Sequence, residues 1–520
     1  LAFTACDATR HSATASRTSS DIEHYIHTAW DDLTRSPLNC AALIDPKLPQ
    51  GQSLLYVAAD QPITPALRTA AAECGVGLRT LPAADSAGPQ PFPLEHHGLL
   101  YLPNPYVVPG GRFNEMYGWD SYFIVEGLVE DSRRDLARGM TENFFYQLDH
   151  YGAILNANRT YYLTRSQPPF LTSMIRAVAR TAPPQDWLAR GYAAGCKDWD
   201  YWHRPELHAG DTGLTRYFDF GIGPVPEMQD DPTYYQGVIE KLLQLGPAGQ
   251  SFLRELRPDE PATHLPVTRT DDRTFTLTDD FYKGDRAMRA SGYDTTFRFG
   301  PYGGATHHFA PVCLNALLYR EELDLADFAA RLNKPSEASQ WRTRAAARLA
   351  AINKYLWDDA RGIYVDYDFT TSTQSDYPYA TTFFPLWAGS ASPEQARRVV
   401  EHLRDFLQPG GIAMSTRDTG VQWDLPFGWA PVQLLAVEGL RRYGYTREAD
   451  DVSARWLRMI VENFRREKTI REKYDVVRRT ADVQVQIGYT QNAIGFGWTN
   501  AAFLKLLHAL PPESQADILR

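Results

Sequence analysis

The sequence predicts an all-α architecture in which helix hairpins close into a toroid, with an N-terminal extension and only minor β pieces. Three observations predict it. Apolar residues recur at helical spacing between recognisable start and stop signals, and period-two alternation is scarce. Stretches that mix acids, aromatics and glycine interrupt the helices at irregular separations of several tens of residues: FNEMYGWDSYF, RASGYDTTFRFG, YLWDDARGIYVDYD, VQWDLPFGWAP and IGFGWTN. Such loops suit hairpins that gather their connections at one end of a closed ring. An open repeat array is disfavoured, because its loops would resemble one another more closely.

Residues 1–20 are small, polar and without periodicity, and read as a disordered tail or tether. From Asp21, Ile22, Tyr25, Ile26, Trp30 and Leu33 mark one face of a helix. Thr64 to Cys74 is alanine-rich and reads as helical within a mixed segment. Ala83 to Pro93, AADSAGPQPFP, is a boundary signal, so the chain divides into a tail (1–20), a mixed extension packing on the barrel (21–95) and a main helical body (96–515). In the body, Ala338, Trp341, Ala345, Leu349, Ile352 and Leu356 trace a long amphipathic helix. Ser392-Pro393-Glu394-Gln395 is a capping box with Pro at the first helical position; Ala396, Val399, Val400, Leu403 and Leu407 follow on one face. Leu434 to Tyr443 is a helix closed by Gly444. Gly362 to Tyr367 is the best candidate for a short strand.

Composition narrows the partners. A net charge of −10, without a dense Lys/Arg stripe, argues against nucleic acid and for a neutral small substrate. The 12 Trp and 28 Tyr suit a polar-aromatic cleft. No apolar run is long enough for a transmembrane segment. Cys6, Cys40, Cys74, Cys196 and Cys313 show neither metal-ligand spacing nor a dense disulfide framework. LAFTAC, followed by a Ser/Thr-rich stretch, loosely resembles a lipoprotein cleavage site. It implies a lipid anchor at Cys6 and a periplasmic or envelope-associated protein, otherwise a secreted one, while a cloning boundary accounts for it equally well. The adjacent pair His307-His308 lacks metal-motif context, and no P-loop, nucleotide-binding glycine loop or nucleophile elbow is present, so no metal or cofactor is expected.

The most concentrated stretch is Pro109 to Phe123, PGGRFNEMYGWDSYF. Arg112 and Asp120 offer the polar forks that hydroxyls need, and Phe113, Tyr117 and Trp119 offer flat apolar faces for a sugar ring. The same residues also suit a loop entering a buried helix, with Trp119 and Phe123 as core. Glycoside hydrolysis needs one protonated and one ionised carboxyl. Asp294 follows a helical run and a glycine break, among Tyr293, Phe297 and Phe299, where desolvation would raise its pKa. Taken alone it is more simply a turn acid paired to Arg298 or Arg289. Glu472, in REKYD, sits among charges that favour its ionised form, but such runs are more often solvated surface. Gln422, Trp423, Asp424 and Trp429 form a loop equally suited to a sugar contact or to tying loops together. In NANRTYYLTRSQPPF, Asn156, Arg165 and Gln167 are presented by a loop that two prolines fix.

Together and in this order, these segments resemble the α,α-trehalase family (glycoside hydrolase family 37). PGGRFNEMYGWDSYF is similar to its first signature, QWDLPFGWAP to its second and NANRTYYLTRSQPP to an internal block. FYKGDRAMRASGYD and REKYDV resemble the segments that carry its catalytic aspartate and glutamate, PVCLNALLY follows the aspartate block, and GFGWTN closes the series. The resemblance spans roughly residues 101–500. It implies an (α/α)6 toroid of the six-hairpin glycosidase type and a metal-independent inverting hydrolase. By position, Asp294 corresponds to the general acid and Glu472 to the general base. Arg112, Phe113, Tyr117, Trp119, Asp120, Asn156, Arg165, Gln167, Glu227, Gln422, Trp423, Asp424 and Trp429 correspond to the sugar site. Inversion implies a carboxyl separation of roughly 6.5–9.5 Å.

The chain departs from the family pattern in several places. Val225 stands where an arginine is usual, Tyr293 where a tryptophan is, and Phe427 where an asparagine is. A glycine-rich segment bearing a glutamate is replaced by VQVQIGYTQNAIGFGWTN, with Tyr489 near the glutamate's position. Val225, Phe427 and Tyr489 are therefore where altered specificity is expected. The expected activity is inverting hydrolysis of α,α-trehalose to glucose. The alternatives are an inverting α-glycosidase acting on another α-linked di- or oligosaccharide, and a non-catalytic sugar-binding or sensing protein on the same scaffold.

Overall fold

The computed structural model describes residues 21–82, 94, 96–184, 186–228, 232–261, 267–270, 272–485 and 491–520. The tail, the boundary stretch from Ala83 to Pro93, Cys6 and Tyr489 lie outside these residues.

The body is an (α/α)6 toroid. Its helices in chain order are α1 (residues 21–33), α2 (Gly118–Glu130), α3 (Arg134–His150), α4 (Leu171–Ala179), α5 (Trp187–Trp202), α6 (Asp279–Ser291), α7 (Val312–Arg331), α8 (Pro335–Ala351), α9 (Phe384–Ala388), α10 (Pro393–Glu401), α11 (Ala430–Arg442), α12 (Thr446–Glu467) and α13 (Gly497–His508). Among the described residues, α2, α4, α7, α9, α11 and α13 form the inner ring, each packing on the next and α13 packing back on α2. These helices are apolar nearly all round, because neighbours surround them on every side. The outer helices α3, α5, α8, α10 and α12 alternate with them in sequence. The remaining outer position belongs to α1: Tyr25 stacks edge-on against Phe464 of α12 at 5.2 Å, and His508 of α13 lies 3.2 Å from Glu23. A helix from the N-terminal extension thus completes the ring. α6 stands outside it, above the end where the inner helices begin.

Several predicted elements appear with the expected chemistry. Ser392 and Gln395 form the reciprocal capping box of α10. α10 stops at Glu401, however, and Leu403 starts a separate short turn because the helix breaks at His402. Thr64 caps the helix Pro65–Glu73 by accepting from the Leu67 N–H. α11 begins at Ala430, earlier than its apolar spacing indicates, because Pro431 starts it directly after Trp429. The stretch from Gly362 to Tyr367 splits between two short strands, Ile363–Tyr364 and Tyr367–Asp368.

A parallel sheet joins the extension to the start of the body: β1 (Leu54–Ala58) lies between β2 (Gly77–Leu81) and β3 (Leu99–Leu100). A disulfide joins Cys40 to Cys74 at its edge. An antiparallel pair, β4 (Phe427–Trp429) with β5 (Lys473–Asp475), links the loops that precede α11 and α13.

One buried pair of acids in the ring lacks hydrogen-bond partners. Asp198 of α5 and Glu321 of α7 are almost fully buried, and none of their carboxyl oxygens finds a hydrogen bond among the described residues. Burial pushes Asp198 up to about 7; Glu321 is pushed well up by burial and by the like charges of Asp198 and Glu322. An acid whose pKa is raised on folding stabilises the protein below its unfolded pKa, and that contribution is lost as pH rises. Stability should therefore fall between about pH 4 and pH 7 by ~1.4 kcal/mol per pH unit for Asp198. Asp198→Asn should flatten this slope and raise Tm more at pH 8 than at pH 5, as followed by calorimetry across that range.

Candidate active site

All the inner helices point their N-termini toward the same end of the toroid, so the loops that precede them meet there. Those before α2, α4, α7, α11 and α13, together with the extension, enclose a cavity of about 710 Å³. Helix N-termini carry partial positive charge and unpaired N–H groups, which suits a site rich in carboxylates.

Its floor is aromatic. Trp423 and Trp429 stack face to face at 3.9 Å, and Trp119 lies 5.8 Å from Trp423 and 5.7 Å from Trp498. Trp119 enters α2 with its N–H bound to the Gln167 Oε1 at 3.0 Å, which joins the first two loops. Tyr293 is fully buried behind this floor, 5.1 Å from Trp423, so it packs under the site and does not line it. Gly292 ends α6 with φ +78°, and a Cβ there would stand 2.9 Å from the Trp119 ring; glycine meets both the left-handed turn and the close approach.

The turn that follows presents Asp294. Its side chain keeps 23% of its exposure, facing the cavity, and lies 3.8 Å from Arg289 Nη1. Burial pushes its carboxyl up to about 7, with Arg289 and Arg165 restraining the rise and Glu227 adding to it. Arg298, the other candidate partner, is turned away and held bidentately by Asp366 at 2.5 and 2.6 Å. Asp120, at the start of α2, is pushed well above the usual carboxylate range by burial and then by the charges of Glu472 and Asp294.

Glu472 sits beside β5. Its Oε2 lies 3.4 Å from the Ala493 N–H and 3.8 Å from Lys473 Nζ, and its carbonyl accepts from the Trp498 indole at 3.2 Å. Lys473 is fully buried and donates to the Gln422 Oε1 at 2.7 Å, while the Gln422 amide donates to the Asp294 carbonyl. A continuous strap therefore runs from the Glu472 loop through Lys473 and Gln422 to the Asp294 loop. Across the cavity, Arg165 binds Glu227 and lies 3.7 Å from Asp219, while Asn156 donates to the Arg289 carbonyl at 3.3 Å. Arg112 stacks on Phe113 at 4.4 Å, and Phe113 meets Tyr117 edge-on.

Every residue the sequence assigned to catalysis or sugar contact therefore lines the cavity, except Asp424. Asp424 is fully buried, and its carboxylate is spent on Thr296 Oγ1 at 3.1 Å, the Phe297 N–H at 3.0 Å and Thr419 Oγ1 at 2.6 Å. It ties two loops together and is not a sugar contact. Two supposed specificity positions are corrected as well. Val225 is fully buried in a side cluster, and Phe427 lies in β4 at 2% exposure; neither lines the cavity. Sequence reasoning missed Trp498 and Arg289 as lining residues, and the wall formed by Lys47 and Arg79 of the extension with His96 and His97 just after it. The IGFGWTN loop and the helix before Asp294 carried the only local signals for the first two; nothing local marks the others.

Comparison with known proteins agrees with this arrangement. The trehalase family profile matches residues 6–242 and 261–511. The cytosolic neutral trehalase of Saccharomyces cerevisiae is 38% identical over 436 residues, covering 77% of this chain and 56% of that protein. That of Emericella nidulans is 36% identical over 448 residues, covering 78% of this chain and 58% of that protein. The chain thus spans little more than half the length of these curated relatives. The solved structure of neutral trehalase Nth1 from Saccharomyces cerevisiae superposes with a TM-score of 0.79 at 33% identity, covering 97% of this chain and 96% of that one. A mannosylglycerate hydrolase of Thermus thermophilus shares the fold at a TM-score of 0.50 and 19% identity, covering 77% of this chain and 95% of that one. The relatives' names overturn the expected periplasmic, envelope-associated or secreted location, since they are cytosolic enzymes. No helix among the described residues is long and apolar enough to cross a membrane.

The Arg289 guanidinium favours the ionised form of Asp294, so removing it should raise the Asp294 pKa further. Arg289→Met is expected to move the carboxyl's titration upward by about one pH unit, whereas Arg289→Lys should leave it nearly in place. Carboxyl-carbon NMR of labelled protein measures this directly.

Proposed function

The chain belongs to the trehalase family, and on that premise we propose that it hydrolyses α,α-trehalose to glucose with inversion at the attacked carbon. The observation that carries this reading is the pairing of two carboxyls in unlike settings on one aromatic-floored cavity. Asp294 is held protonated up to about pH 7 by burial, as a general acid must be, and Glu472 lies beside the buried Lys473 ammonium. In the proposed reaction Asp294 protonates the bridging oxygen. Glu472 takes a proton from water as it attacks the anomeric carbon from the opposite face. Trp119, Trp423 and Trp429 offer apolar faces to the sugar, and Asp120, Arg165 and Glu227 offer groups for its hydroxyls.

The names of the relatives support trehalose as the substrate to try first. Two departures that had pointed to another α-linked sugar, Val225 and Phe427, are core positions and carry no weight against it. A binding-only role has no use for an acid poised near neutrality opposite a second carboxylate.

The deciding experiment incubates the purified protein with a panel of α-glucosides and follows the first anomer released by NMR. β-Glucose appearing alongside α-glucose from trehalose supports the proposal; binding without turnover of any glycoside overturns it. Asp294→Asn and Glu472→Gln should each lower kcat by roughly 10²–10⁴-fold with unchanged Tm. Because Asp294 must be protonated, kcat/KM should fall as pH rises through about 7.

A further inference from the structure

On the outer side of the molecule, away from the cavity, three side chains from two separate elements converge on one point. Asp280 lies in the first turn of α6, and His307 and His308 lie in the short turn Thr306–His308 that precedes α7. Asp280 Oδ1 is 3.0 Å from His307 Nε2 and 3.2 Å from His308 Nε2, and all three atoms lie within 4.8 Å of one another. From this geometry we propose that Asp280, His307 and His308 form a binding site for a borderline first-row dication, of which Zn²⁺ is the representative.

The donor set selects the ion class. Two imidazole nitrogens and one carboxylate oxygen suit zinc and its neighbours, whereas calcium and magnesium prefer oxygen alone. The spacing fits as well. Bonds of about 2.0–2.1 Å at tetrahedral angles place neighbouring ligand atoms ~3.3 Å apart, so the two edges from Asp280 to the imidazoles need only a small outward relaxation. The site is open on one side: the side chains of His307, His308 and Asp280 are 8, 27 and 53% exposed, which leaves room for water to complete the coordination.

The backbone that carries the ligands is held in place from behind. Arg216 donates to the His307 carbonyl at 2.8 Å, and the Phe369 N–H donates to the His308 carbonyl at 3.1 Å. Thr306 Oγ1 donates to the Gly303 carbonyl at 2.7 Å, closing the turn. On the other element, Thr278 caps α6 by accepting from the Phe281 N–H at 3.1 Å, which fixes the helix turn that carries Asp280. The sequence hides this arrangement, because the carboxylate lies 27 residues before the histidine pair. An ion here clips the start of α6 to the end of the loop that leaves its far end, and that loop carries Asp294. Its role is structural: it fixes both ends of the segment that presents the proposed acid, and it takes no part in the chemistry.

The test uses the full chain stripped with EDTA and titrated with ZnCl₂ by calorimetry, with Tm measured in parallel. One equivalent should bind and Tm should rise. Asp280→Asn and His308→Ala, both at sites open to solvent, should each weaken binding at least tenfold and abolish the rise, with the metal-free Tm of Asp280→Asn close to that of the parent. Co²⁺ in place of Zn²⁺ should give the intense visible bands of a tetrahedral centre, which both variants lose. Absence of stoichiometric binding in the parent protein, or its retention in either variant, overturns the proposal.

Discussion

The cavity exists only because the ring closes, and closure rests on the contact between the first and last inner helices. Gly127 of α2 makes that contact possible. A Cβ there would stand 2.5 Å from the Cβ of Ala501 on α13 and 3.2 Å from the Trp30 ring of α1. Any side chain would push the two inner helices and the outer helix apart at once. Interiors are packed too densely to absorb such a change locally, so the displacement would travel to the loops at the helix N-termini. α1 therefore acts on the site through packing, although it contributes no side chain to it.

Burial and nearby charges set the electrostatics of the site, and specific bonds set its geometry. Asp120 feels the charges of both Asp294 and Glu472, and Arg165, Arg289 and Lys473 are the cations near these acids. Burial pushes Asp120 and Asp294 toward their neutral forms. Arg289 and Arg165 only partly offset the burial of Asp294, and Lys473 stands 3.8 Å from Glu472. The strap through Lys473 and Gln422 adds a mechanical link, tying the two loops so that their separation depends on two short polar contacts.

Features fixed by neighbours in sequence were legible, and those fixed by distant partners were not. Ser392 with Gln395 and Gly444 after α11 are short-range relations, and they appear as read. The ring position of α1 depends on contacts such as Tyr25 with Thr469, 444 residues apart, which no local pattern reveals. β1 escaped notice because both its faces are covered, so it reads as an apolar run without alternation. Within the site, Asp294 and Glu472 stood out through the family resemblance more than through their surroundings. REKYD reads as a solvated charge run, yet the fold divides it: Arg471 turns to Glu467 at 2.9 Å, while Lys473 turns inward to Gln422. Asp424 shows the converse, a carboxylate in a suggestive aromatic loop whose oxygens the fold had already engaged.

The extension is bound to the site by a buried ion network, and this explains how a segment outside the main body forms part of the cavity wall. Arg159 reaches Glu115 at 2.7 Å and Asp45 at 2.6 Å, and Lys47 reaches Glu115 at 2.6 Å. Asp45 and Lys47 come from the extension, Glu115 from the loop before α2, and Arg159 from the loop before α4. Burial raises the Glu115 pKa, but Lys47 and Arg159 outweigh it and hold the carboxyl at about 2. Such a network adds little net stability over an apolar core of the same shape, but removing one member strands the others without a partner, at ~3–5 kcal/mol. That asymmetry makes the network a register device. With the network formed, Lys47 lies on the cavity wall beside the loops that carry Tyr117 and Tyr162.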